Sequence, residues 1–231
     1  MKALALARRE IVEQYSDRSS ILRALFLIAL PIVLIQVNRS AANSPDAFIF
    51  IFALQAALLP AATAINAAAG SFAAEKEAQT LVPLLAAPIG DLEIVAGKLI
   101  GVLIPAAALS SVSLAIFYAA ASQRFGATRI AALLDPTTMA ELFGAAMLFI
   151  LTLGAWVMVV SARVPSQRAA QQIAGLVLAG VLVGVTALTS LIGNVTKELI
   201  VVGVVVVLLS DIAALQLARR FWDREEAVAR L

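Results

Sequence analysis

A chain of 231 residues that is 62% hydrophobic and only 14% charged, with a mean hydropathy of +0.98, carries more apolar surface than one core of its size can hide, so lipid must solvate it. It has neither cysteine nor histidine, which excludes disulfides, Cys or His metal sites, thiol nucleophiles, imidazole proton relays and a Ser-His-Asp triad. The net charge of +2 is too small to point to nucleic acid, and no catalytic or metal-binding residue is assigned.

Residues 1–22 place Lys2, Arg8, Arg9, Glu10, Glu13, Asp17 and Arg18 ahead of the first apolar run, unlike a cleavable secretory signal. Leu4, Ala7, Ile11, Tyr15 and Leu22 recur at helical steps, while Arg9, Glu13, Gln14 and Asp17 lie largely elsewhere on the wheel. The spacing predicts an amphipathic helix over 3–22, lying at the cytoplasmic interface and running into the first span.

A bilayer core takes about 20 apolar residues in helical form, and only helices or closed barrels satisfy their backbone there. Six segments qualify: about 22–38, 46–72, 98–120, 139–161, 171–192 and 199–218. The expected fold is therefore all-α and polytopic, with six transmembrane helices in a single domain over 1–231. Pro31, Pro60 and Pro105 fall inside spans, where each removes a backbone donor and bends its helix. The bends serve either a gated pathway or ordinary packing.

Orientation follows from the basic residues between spans. With the N-terminus in the cytoplasm, thirteen of the seventeen Lys and Arg fall on the inner side, among them Lys76, Lys98, Arg163, Arg168, Arg219 and Arg220. Arg39, Arg124, Arg129 and Lys197 fall outside. An even number of spans and this bias agree on two cytoplasmic termini.

The outer connections are short, the longest being about 121–138. The inner connection at 75–98, EKEAQTLVPLLAAPIGDLEIVAGK, is different. Glu75, Lys76 and Glu77 end the second span, and Leu81–Ala87 form a short apolar stretch interrupted by Pro83 and closed by Pro88-Ile89-Gly90. Asp91 is placed to cap a helix that begins at Leu92-Glu93 and leads into the third span. Leu81, Leu84 and Leu85 in a cytoplasmic loop need cover, either on the membrane face or in a groove of another protein.

Residues 71–101, SFAAEKEAQTLVPLLAAPIGDLEIVAGKLIG, resemble the signature of the membrane-spanning permeases of ABC-2 type transporters. The likeness rests on Glu75, Glu77, Thr80, Leu81, Leu84, Leu85, Pro88, Ile89, Glu93, Ile94, Gly97 and Lys98. Gln79 and Val82 depart from it, where the family often has Gly and Glu. The stretch RREIVEQYSDRSSIL from Arg8 also resembles the start of such permeases, chiefly through Asp17-Arg18. The resemblance implies a coupling helix within 75–98 that docks on a separate ATPase subunit, with Glu75, Lys76, Glu77, Thr80, Leu81, Leu84, Leu85, Pro88, Glu93 and Lys98 as the coupling residues. It further implies that 3–22 is the connecting helix, that a second permease subunit completes a homo- or heterodimer, and that the complex exports a substrate; the compact, Ala- and Arg-rich composition suggests a bacterial protein, hence an inner membrane. This chain would hold no cofactor, with ATP and Mg bound by the partner. No P-loop occurs here: the nearest match, Gly90 to Gly97-Lys98, has six intervening residues instead of four and Leu99 in place of the hydroxyl.

Polar residues inside spans are the candidate pathway lining. Gln55, Thr63 and Asn66 share a face of the second span and serve either a pathway or interhelical hydrogen bonds. Asp211, the acid set well within a span, is either a substrate or coupling-ion contact or a partner for Arg163 or Arg168. Rival readings are an ABC subunit that signals without transport, a scaffold subunit, and an ATP-independent secondary transporter.

Overall fold

The computed structural model describes residues 6–12, 18–37, 45–77, 90–164, 166–176, 205, 208–214 and 216–217. Among these, every regular element is an α-helix. The principal ones are α1 (Arg18–Val37), α2 (Pro45–Leu58), α3 (Ala61–Glu77), α4 (Asp91–Phe125), α5 (Ala127–Leu133) and α6 (Pro136–Arg163). Residues 6–12, 167–176 and 208–214 are also helical.

Four stretches are long and apolar enough to cross a membrane: Arg18–Val37, Phe48–Glu75, Glu93–Phe125 and Pro136–Arg163. They coincide with the first four expected spans. Most of the expected fifth and half of the expected sixth lie outside the described residues, as do Leu4 and Tyr15 of the expected interfacial helix. At about 1.5 Å per residue, the 35 residues of α4 extend about 52 Å, well beyond a hydrocarbon layer of about 30 Å. Its polar start, Asp91 to Lys98, and its end at Gln123-Arg124 account for the excess.

The helix ends follow from local chemistry. Asp135 precedes Pro136, the first residue of α6. Its carboxylate accepts the Thr138 N–H at 2.8 Å, and its carbonyl accepts Met139 N–H at 2.9 Å, the pattern of an Asp cap followed by proline. At the start of α4 the cap is Gly90, one residue earlier than expected: Gly90 carbonyl accepts Ile94 N–H, and Glu93 Oε2 accepts Gly90 N–H at 3.2 Å. Glu93 thus reaches back from the third helical position, half of a capping box. Gly126 separates α4 from α5 at φ 94°, a conformation that side chains with a Cβ disfavour.

The three prolines behave differently. Pro31 and Pro105 sit within continuous helices, whereas the second span is interrupted at Leu59-Pro60 and resumes as α3. Pro60 cannot donate; the Leu59 N–H before it closes the last ordinary helical turn of α2, and a side chain from α4 adds a bond beside it. Gln55 carbonyl accepts Leu59 N–H, and Ala57 carbonyl accepts the Ser110 hydroxyl at 2.8 Å.

The chain divides into two compact units, one of Met1–Arg8, Ile65–Ile100 and Leu151–Leu231, the other of Arg9–Ala64 and Gly101–Ile150. In the second unit α1 packs against α2. Its core joins Ile35 of α1, Ile49, Phe52, Ala53, Ala56 and Ala57 of α2, Leu114, Phe117 and Ala121 of α4, Ile130 of α5, and Leu142 and Ala146 of α6. The alanines of α2 admit close helix approach, which dispersion rewards where lipid removes the hydrophobic drive between helices. Arg124 donates to the Ile35 carbonyl, and Gln36 donates to the Ala120 carbonyl at 3.3 Å, tying the end of α1 to α4. Ile21, Leu22, Leu25, Phe26, Val33 and Val37 of α1 remain exposed, the surface lipid would cover.

Candidate functional site

The residues that bracket the expected coupling loop belong to the first unit. Segment 78–89 itself, with Thr80, Leu81, Leu84, Leu85 and Pro88, lies outside the described residues, as does the side chain of Lys76. Its two ends are well defined: α3 enters at Glu77 and α4 leaves from Asp91.

A lysine in an apolar helix is expensive to bury unless its charge is met. Lys98 is fully buried, and its ammonium lies 3.0 Å from Glu75 Oε1. It also donates to the Ser71 carbonyl at 2.6 Å and sits 5.1 Å from the centre of the Phe72 ring. Residues 71, 72 and 75 share one face of α3, so a single α4 side chain engages a full turn of its neighbour. Glu75 is nearly buried, its side chain 11% exposed. Glu77 and Glu93, by contrast, are exposed.

A second contact fixes the same stretch of α3 from α6. Ser161 is fully buried. Its hydroxyl donates to the Ala69 carbonyl at 2.7 Å and accepts the N–H groups of Phe72 at 3.2 Å and Ala73 at 3.0 Å. Ser71 donates to the Ala68 carbonyl at 2.7 Å. A hydroxyl inserted among these amides anchors α3 through its backbone, a place where helices deviate from regular geometry. Gly70 permits close approach: an added Cβ would lie 3.0 Å from Gln167 Nε2.

The candidate pathway residues fall in different surroundings. In the second unit, Gln55 is half-buried, and the Thr63 hydroxyl donates to the Pro60 carbonyl at 2.6 Å, closing the turn that starts α3. In the first unit Asn66 is exposed. Asp211 is buried, and its Oδ2 accepts the Thr152 hydroxyl at 3.2 Å. Arg163 and Arg168, the expected partners, are exposed, and a hydroxyl stands at Asp211 in their place. One turn along α6 from Thr152, Trp156 Nε1 donates to Ser210 Oγ at 2.9 Å, so two adjacent residues of the last helical segment are held by one face of α6. Thr152, Trp156, Ser161, Ser71 and Phe72 were not singled out by sequence. Only the four-residue spacing of Thr152 and Trp156 hinted at a shared face.

These features define a polytopic α-helical membrane protein with a polar brace at the base of one inter-helix segment. The profile of the ABC-2 family transporter proteins matches residues 5–200, and the chain belongs to that family. It is accordingly an ABC-2 permease, the membrane component of an ABC-type transporter. No curated protein matches it.

Proposed function

We propose that this permease is a subunit of an ATP-driven exporter that forms the translocation pathway and is powered by a separate ATPase subunit. Membership of the ABC-2 family over residues 5–200 carries this reading. The 75–98 connection supports it, since Leu81, Leu84 and Leu85 form an apolar stretch that a partner groove would cover. In this reading segment 78–89, with exposed Glu77 and Glu93 beside it, meets the ATPase, and Glu75 and Lys98 act behind the contact.

Two such subunits, identical or mixed, enclose a pathway that alternates between inward and outward access. ATP and Mg bind the partner, whose closure shifts the 78–89 segments, and hydrolysis resets them. ATP drives this only by interacting differently with the two states. Gln55, Thr63, Asn66 and Asp211 are the proposed lining. Six spans, two cytoplasmic termini and residence in a bacterial inner membrane complete the proposal.

The test is affinity purification of the tagged chain in mild detergent, assayed for ATPase activity beside a Leu84→Asp, Leu85→Asp variant. Copurification of an ATP-binding subunit that the still-folded variant loses is the expected result. Absence of any ATPase, or full retention by the variant, overturns the coupling assignment.

A further inference from the structure

We propose that Lys98 and Glu75 are positioning residues, a buried strut that makes the two ends of the 78–89 segment move as one body. The inference rests on the reading that this segment receives the ATPase stroke.

A stroke delivered to a loop between two helices can be spent in two ways. It can slide one helix along the other, or it can shift both together. Apolar packing is non-directional and opposes sliding weakly, because a slid contact is replaced by a similar one. Charge-assisted hydrogen bonds are directional: they hold at donor–acceptor distances of about 2.7–3.2 Å and weaken steeply once the angle at the hydrogen falls toward about 120°. The Lys98 ammonium holds Glu75 Oε1 at 3.0 Å and the Ser71 carbonyl at 2.6 Å, with Lys98 fully buried and only a small part of Glu75 in reach of the water that would soften the pair. Both acceptors belong to α3 and the donor to α4, so an axial slip that carries the ammonium along moves it off the geometry of two contacts rather than one. The Phe72 ring, with the ammonium 5.1 Å from its centre, adds a third contact from the same face of α3.

The placement reinforces this. Glu75 lies two residues before the end of α3, and Lys98 lies seven residues after the start of α4. The strut therefore spans the neck of the segment, next to where a load enters. Were cohesion the only need, an apolar pair of similar volume would provide it without desolvating two charges. What the charged pair adds is a fixed register. Ser161 gives α3 a second anchor, through the Phe72 and Ala73 amides, on the same stretch of helix. The load is thereby passed on to α6.

The chain has no cysteine, so a Glu77→Cys, Ala96→Cys pair at two exposed positions takes spin labels without background. Distances are read by double electron–electron resonance on the full chain in lipid nanodiscs, alone and with its ATPase plus ATP or ADP. The comparison variant is Glu75→Leu, Lys98→Met, which keeps the volume and removes both charges. Its folding is checked by gel filtration and circular dichroism.

The expected result is one narrow distance in the parent, unmoved by nucleotide, and a broadened distribution in the apolar variant that shifts between ADP and ATP. A narrow, nucleotide-independent distance in the folded apolar variant, or a broad one in the parent, overturns the strut. The measurement on the chain alone decides this even if the labelled chain binds no ATPase; copurification with the unlabelled chain is the separate test of the coupling reading.

Discussion

Removing the Lys98 ammonium while leaving Glu75 in place is the most severe single change the structure suggests. At 3.0 Å and an effective dielectric of about 20, the pair interacts by about 5 kcal/mol. The net effect is smaller, because two desolvated ions are already part of the folded state. Breaking such a pair from one side costs about 3–5 kcal/mol, since the remaining charge stays buried without its partner. Glu75, with its side chain 11% exposed, cannot turn far toward water. Lys98→Met should therefore lose about 3–5 kcal/mol, Glu75→Leu a comparable amount, and the combined variant should recover to within about 1–2 kcal/mol of the parent. The assay is a double-mutant cycle on unfolding midpoints, by mixed-micelle denaturant titration or thermal melts in one detergent. A Lys98→Met variant within about 1 kcal/mol of the parent, or additive single losses in the combined variant, would refute the argument that the two charges depend on each other.

Ser161→Ala should destabilise by about 1–2 kcal/mol, since the α3 amides can partly return to their own helix partners; the same unfolding titration checks it, and Ser161→Val should be worse because its branched side chain adds volume at a fully buried site. The hydrogen bonds from Thr138 hold the Asp135 carboxyl below the usual carboxylate range. A lowered folded pKa means that its stabilisation is complete above the unfolded carboxylate value and disappears as pH falls through the folded one. Melting curves on the acid side should then fall less steeply for Asp135→Asn than for the parent, and parallel curves would contradict the cap. Gly70→Ala alone should change stability little, because a helix-propensity gain of about 1 kcal/mol is offset by the need to displace Gln167. In a Gln167→Ala background the same change should gain close to that full amount, read from the shift in melting midpoint.

Much of this protein is legible before any coordinate is known. Hydropathy and helix length fix the class, because a bilayer leaves a chain so apolar almost no alternative to spanning helices. The four described spans fall where the apolar runs put them. The Asp135-Pro136 start of α6 and the Pro60 interruption rest on local rules that act within a few residues. Even the Gly90 cap was missed by only one position, because glycine and Asp91 both suit a helix start and only the Glu93 contact separates them.

What the tertiary structure decided is which polar groups meet. Glu75 and Lys98 read in sequence as charges at the two ends of a loop, equally able to face water or a partner subunit. Packing of α3 against α4 turned them toward each other, burying Lys98 fully and Glu75 nearly so. Ser161 in its run of valines and methionine carries no periodic signal, because its value lies in the unevenly spaced amides of another helix eighty-nine residues away. Asp211 receives one hydroxyl, from Thr152, where the sequence left open a substrate or ion contact or an arginine. Sequence determines that a buried charge must be satisfied, since desolvation is a property of the group itself. The identity of the group that satisfies it is set by distance and direction between helices, which exist only once they pack.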